Sequence, residues 1–173
     1  DGIIKGSGNN VGGFIGKSGS AGWYGTTIKE SSNYASISGK NYVGGFLGYS
    51  YIGNSLGAYD PENCGGTETI TLKELKNHGT VSGSEYVGIA GSIGRNLNCG
   101  GMSLEKFANY AEVKGSSCCG GIFGQTIANY EDVTVEEATN KGKITGNTYI
   151  GGIVGRCDTS DNNEHVYQNC YNE

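Results

Sequence analysis

An apolar phrase built around glycine returns five times along this chain: VGGFIG at 11–16, YVGGFLG at 42–48, YVGIAG at 86–91, CCGGIFG at 118–124 and YIGGIVG at 149–155. A phrase that recurs at a near-constant interval predicts a solenoid, because each copy is one supersecondary unit that buries its apolar face only by stacking on the next. An asparagine keeps the same phase throughout, at Asn33, Asn77, Asn109, Asn140 and Asn172, with intervals of 44, 32, 31 and 32 residues. One coil is therefore about 31 residues, and the 44-residue interval holds an insertion of about a dozen that a surface loop accommodates at little entropic cost.

Within each coil the asparagine anchors a regular pattern. Seven and five residues before it lie Ile70 and Leu72, Met102 and Leu104, or Val133 and Val135, an alternation that marks a half-buried strand. Four residues after it come Ile37, Val81, Val113 and Ile144, each followed by a glycine two positions on. Strands that all run the same way pair with their equivalents in neighbouring coils. The expected fold is all-β, a right-handed parallel β-helix of about five coils forming one solenoid over 1–173, its hand set by the crossover rule. The recurrent Asn is expected to form an internal amide ladder at a bend.

The glycine phrase is apolar on both faces when read as a single extended strand, with Val43 and Leu47 on one side and Tyr42 and Phe46 on the other. One face would meet the core, and the other would need the intervening loops or another molecule to cover it. No polar cap or atypical terminal repeat stands out, so the chain is expected to be either a segment of a longer array or a subunit that polymerises end to end.

Composition narrows the function classes. With 33 glycines, one proline and 35% hydrophobic residues, the core must come from stacked strands. The glycines follow no three-residue period, and apolar residues recur at fixed phase, which excludes collagen and disorder. A net charge of −5 without a basic run argues against nucleic acid as a partner. No stretch approaches the ~20 apolar residues of a spanning helix, so no membrane insertion is expected. Six cysteines without a CxxC pair suggest disulfides in an oxidising compartment, hence an extracellular or cell-surface location.

Several constellations invite chemistry. Glu30, Glu74 and Glu137 share one column, but Lys106 interrupts it, and the neighbouring column reads Lys29, Lys73, Glu105, Glu136. Charge pairs between coils (Lys73 with Glu105, Glu74 with Lys106, Lys106 with Glu137) account for the pattern without catalysis. His78 and His165 belong to no catalytic or metal motif, so no active site, metal or cofactor is expected. The acidic loop from Asp158 to Glu164 lacks the spacing of a calcium loop and is taken as a polar turn. Cys64 and Cys99 both occur in NCGG and are the first bridge candidates; Cys157 and Cys170 bracket the last loop and are the second. Six cysteines allow fifteen pairings, which spacing alone does not resolve. Trp23, Tyr24, Tyr49, Tyr51 and Tyr59 follow the first two glycine phrases and form either a lid or a platform for a glycan or a host surface protein.

The phrases NHGTVSGSEYVG (77–88), NKGKITGNTYIGGIVG (140–155) and NYVGGFLG (41–48) resemble the GLUG repeat of bacterial surface proteins, adhesins and some large secreted peptidases, and the resemblance runs through all five coils. It implies an exported, non-catalytic structural or adhesive module whose partners are neighbouring repeats, identical subunits end to end, or a surface ligand. Two other readings stay open beside it: a fibre subunit joined through its open ends, and a carbohydrate-active β-helix of the lyase or hydrolase kind.

Overall fold

The computed structural model describes residues 2–19, 25–52, 69–96, 101–129, 132–160 and 163–173, and these are strand, turn and bend without a helix. The strands form three parallel sheets that the chain visits in the same order on every circuit. A short sheet stacks Ile3–Lys5, Ser36–Ser38, Val81–Ser82, Val113–Lys114 and Ile144–Thr145. A glycine sheet follows, whose rungs are Val11–Gly12 with Ile15–Ser18, Asn41–Ile52, Glu85–Asn96, Ser117–Gly120 with Phe123–Asn129, and Thr148–Gly151 with Val154–Ser160. The third, the asparagine sheet, stacks Thr26–Asn33, Thr69–Asn77, Gly101–Asn109, Val133–Asn140 and His165–Gln168 with Tyr171–Asn172. Like residues sit above like: Asn33 pairs with Asn77, Asn77 with Asn109, Asn109 with Asn140 and Asn140 with Asn172. The chain is thus a parallel β-solenoid whose rungs differ mainly in their connecting loops.

Simple alternation fails inside the asparagine sheet, and one residue per rung is responsible. In Thr69–Asn77, Ile70 and Leu72 point inward, yet Leu75 and Asn77 do as well, so the parity changes between them. Glu74 adopts φ 56°, in the left-handed region, and its equivalents Glu30, Lys106, Glu137 and Asn169 do the same. A residue there turns the strand and drops out of the pairing, which resumes with Phe107 opposite Leu75 after Glu105 opposite Lys73. A second left-handed row, Asn10, Tyr42, Tyr86, Cys118 and Tyr149, turns the chain at each glycine phrase. For residues with a Cβ this backbone costs about 1–2 kcal/mol each, so the stacked neighbours on either side must hold it in place. Glu137→Gly is accordingly expected to raise stability by about 0.5–1 kcal/mol, and Glu137→Val to lower it by about 1–2 kcal/mol. Equilibrium urea denaturation reads both, and equal losses from the two variants would contradict the assigned backbone.

The second bend corrects the expectation of a two-faced strand. The phrase does not run straight: it corners at its glycines and delivers its side chains to two separate cores. Val43 enters a small cluster with Ile37, Val81, Val87, Val113 and Cys119, whereas Phe46 and Leu47 enter the main cluster with Leu75, Ile89 and Phe123. All three leading residues of this phrase are fully buried, so neither a lid nor a second molecule is needed to cover them. The buried asparagine row sets the need for glycine at the corner. A Cβ on Gly45 would stand 2.7 Å from Asn77 Oδ1, and one on Gly121 or Gly152 would collide with Asn140 or Asn172. In the third rung Ile89 follows Gly88 directly, and pairing passes from Gly44–Gly88 to Leu47–Ala90 with one residue fewer.

The end rungs also differ from the sequence-based expectation, because their inward positions are not simply repeats of the middle. The column Ile28, Leu72, Leu104, Val135 ends in Tyr167, and His165 lies against Val133. At the other end Thr26 lies against Ile70, and its hydroxyl meets that of Ser18. Polar groups therefore close part of the main core at each end. The small core keeps apolar end residues, Ile4 and Val11 at one end and Ile144 at the other, and Ile150, opposite Cys119, is 40% exposed.

Candidate functional site

Amide chemistry explains why asparagine occupies the inner bend. Asn33 Nδ2 donates to Asn77 Oδ1 at 2.8 Å, Asn77 to Asn109 at 2.9 Å, Asn109 to Asn140 at 2.8 Å and Asn140 to Asn172 at 2.8 Å. The second hydrogen on each Nδ2 goes to a carbonyl two residues on, at Ala35, Gly79, Ala111 and Gly142. Oδ1 in turn accepts the backbone N–H two residues on in three of the rungs. An aspartate would lack both donors, and a glutamine would overreach the turn. In a buried row these bonds reinforce one another, so the ladder carries structure.

Aromatic side chains also pair from rung to rung. Tyr34, His78 and Tyr110 form an exposed stack with centroids 4.7 and 4.8 Å apart and planes within 7°. In the next rung Lys141 pairs with Glu173 at 3.0 Å. A second group gathers Tyr42 on Tyr86 at 4.7 Å, Tyr49 edge-on to Tyr42 at 5.2 Å and Tyr51 at 6.4 Å from Tyr49. Trp23, Tyr24 and Tyr59 lie outside the described residues. Tyr49 and Tyr51 are thus brought together, but with Tyr42 and Tyr86, which the aromatic set chosen from sequence omits. Their ring faces meet one another or the Lys17 ammonium, 5.8 Å from the Tyr49 centroid. Burial raises the Tyr49 phenol pKa, with Tyr51 and Tyr42 adding to it, and burial likewise raises Tyr86.

The left-handed row of the asparagine sheet frames a trough of about 760 Å³ parallel to the solenoid axis. One wall carries Glu30, Glu74, Lys106, Glu137 and Asn169; the other carries Ser32, Lys76, Ala108, Thr139 and Tyr171. Lys106 pairs with Glu74 at 3.7 Å rather than with Glu137, contrary to one of the expected pairs, and Glu30, Glu137 and Lys76 form no ion pair among the described residues. Just outside the trough Lys73 meets Glu105 at 3.1 Å, and this hydrogen bond, with a second from Ser103, holds the Glu105 carboxyl below its ordinary pKa. The wall carboxylates stand in partly or fully exposed positions, so the arrangement offers a row of hydrogen-bonding groups rather than an enclosed acid and base.

The cysteine expectations fare differently. Cys64 and Cys99 lie outside the described residues. Cys157 and Cys170 are free thiols, so the expected bridge between them is not present. Cys157 Sγ lies 3.0 Å from the Tyr167 hydroxyl, whereas Cys170 directs its thiol to the carbonyls of Gln168 and Val135. Thr126 Oγ1, fully buried, joins Tyr167 Oη at 3.0 Å and His165 Nδ1 at 3.2 Å, completing a polar plug over the last rung. Burial pushes the Tyr167 phenol up, and it pushes the Cys119 thiol, which lines the small core, up to about 11. Cys118 occupies a left-handed tyrosine position and is buried beside Ser117. Asp158, expected to open a polar turn, instead lies in the strand Val154–Ser160 opposite Ile127, where it pairs with Arg156 at 2.7 Å and accepts from Gln125 at 2.5 Å. Among the described residues no three of His, Cys, Asp and Glu cluster as metal ligands, and no helix is long and apolar enough to cross a membrane. No protein-family model, curated protein or solved structure matches the chain.

Proposed function

We propose that this chain is a non-catalytic structural and adhesive repeat module, carried outside the cell or on its surface. The observation that carries the reading is the buried amide ladder running through Asn33, Asn77, Asn109, Asn140 and Asn172. The side chains that most resemble functional groups are largely spent on the rung above or below: amide on amide, phenol on imidazole, lysine on glutamate. What this construction offers to a partner is a rigid, periodic outer surface, which suits holding a ligand rather than transforming one. The resemblance of its phrases to GLUG repeats points the same way. The cell-surface location rests on that resemblance, since the four cysteines among the described residues are thiols.

The test is retention without turnover. Beads coated with the folded chain should hold to cell surfaces or immobilised glycans under flow, above beads coated with denatured protein, while a panel of soluble glycans gains no new chain ends. New reducing or unsaturated ends would overturn the reading, as would equal retention of folded and denatured coats on every surface tried.

A further inference from the structure

We propose that the trough along the asparagine sheet binds a linear, uncharged polysaccharide laid parallel to the solenoid axis; this rests on the adhesive reading and names its site. The first argument is periodicity. Both walls repeat once per rung, at the ~4.8 Å spacing of paired strands, and an extended pyranose chain advances by about the same distance per sugar. Each rung therefore sets one residue of either wall beside each successive sugar, with Glu, Lys, Ser, Thr, Asn and Tyr among them. The trough volume of about 760 Å³ lies within the range of roughly 300–1,000 Å³ usual for ligand sites.

The second argument is charge. A polyanion would meet Glu30, Glu74 and Glu137, and a polycation would meet Lys76 and Lys106. Hydroxyl groups suit both signs, since they donate to carboxylates and accept from ammonium groups. Glu30, Glu137 and Lys76 have no ion-pair partner among the described residues and so retain hydrogen-bonding capacity for a ligand. The third argument is an aromatic face. Tyr171 closes the trough, is 59% exposed, and enters none of the ring pairs that occupy Tyr34, Tyr42, Tyr86 and Tyr110. A ring with a free face can pack against the C–H side of a sugar.

Affinity electrophoresis of the full chain in gels containing mixed-linkage glucan, glucomannan or xylan tests the assignment, with hyaluronan and chitosan as charged controls. At least one neutral polymer should retard the protein more than either charged control. Tyr171→Ala should weaken that binding about fivefold to tenfold, the worth of one aromatic contact, and Glu137→Gln together with Lys76→Gln should weaken it further. Tyr34→Ser, outside the trough, should bind as the parent does, and unchanged circular dichroism would show that each variant is folded. Absence of retardation in all three neutral gels, stronger retardation by a charged polymer, or parent-like binding by the folded Tyr171→Ala chain would overturn the proposal. If the coated beads still adhere in that case, the adhesive reading stands and only the trough is wrong.

Discussion

Asn109→Ala is expected to lower the free energy of unfolding by about 3–5 kcal/mol, a loss few exposed substitutions approach. The side chain is fully buried and serves three partners at once: it accepts from Asn77 and donates to Asn140 and to the Ala111 carbonyl. Removing it leaves a buried Asn77 N–H and the Ala111 carbonyl without their partner, at about 1–3 kcal/mol for each unsatisfied group, besides leaving a void. Asn109→Asp tests the donor role separately. It keeps the shape but sets a carboxylate oxygen against Asn140 Oδ1, so its loss should exceed that of alanine at neutral pH and shrink as the carboxylate protonates. Chemical denaturation of the two variants decides the matter; a loss under about 1 kcal/mol for Asn109→Ala would show that the ladder contributes little beyond filling space.

Gly121→Ala is the second large effect, expected at about 3 kcal/mol or more, because the added methyl meets atoms that cannot yield cheaply. Its Cβ would run into the Gly152 carbonyl on the neighbouring rung and the Asn140 amide of the ladder. Relieving the clash means spreading two rungs or displacing an amide that is hydrogen-bonded on both sides. Gly101→Ala is the matched control: there the nearest atom to the new methyl is Thr69 Cγ2 at 3.9 Å, and the change should stay within about 0.5 kcal/mol. Similar midpoints for the two alanine variants would refute the claim that the ladder dictates glycine at the corner.

These two sites also mark what the sequence makes legible. The period was readable because identical residues stack on identical residues, and the asparagine was conspicuous because no other side chain satisfies the bend. The trough was half visible, as a column of glutamates interrupted by Lys106. Its shape was not, because Glu30, Glu74 and Glu137 are poor indicators of a left-handed backbone, which glycine and asparagine usually signal. The same blind spot hid the corner in the glycine phrase: Tyr42, Tyr86 and Tyr149 look like strand residues, and reading them so made one bent segment into a flat strand with two apolar faces. The plug formed by Thr126, His165 and Tyr167 was obscured for another reason. Its members lie on two strands, with His165 and Tyr167 39 and 41 residues from Thr126 along the chain, and only the completed circuit brings them together.

Every amide in the ladder points the same way, each nitrogen toward the rung that follows it in the chain. Their dipoles consequently add instead of cancelling, which gives the interior of this β-structure a head and a tail much as aligned peptide units do for a helix. Among the described residues the two ends of the column are chemically unlike: Asn33 leads with its oxygen, and the Asn172 amide nitrogen meets no further asparagine. Anything that extends it must arrive in matching orientation and supply an acceptor there, because an inverted arrival would set hydrogen against hydrogen.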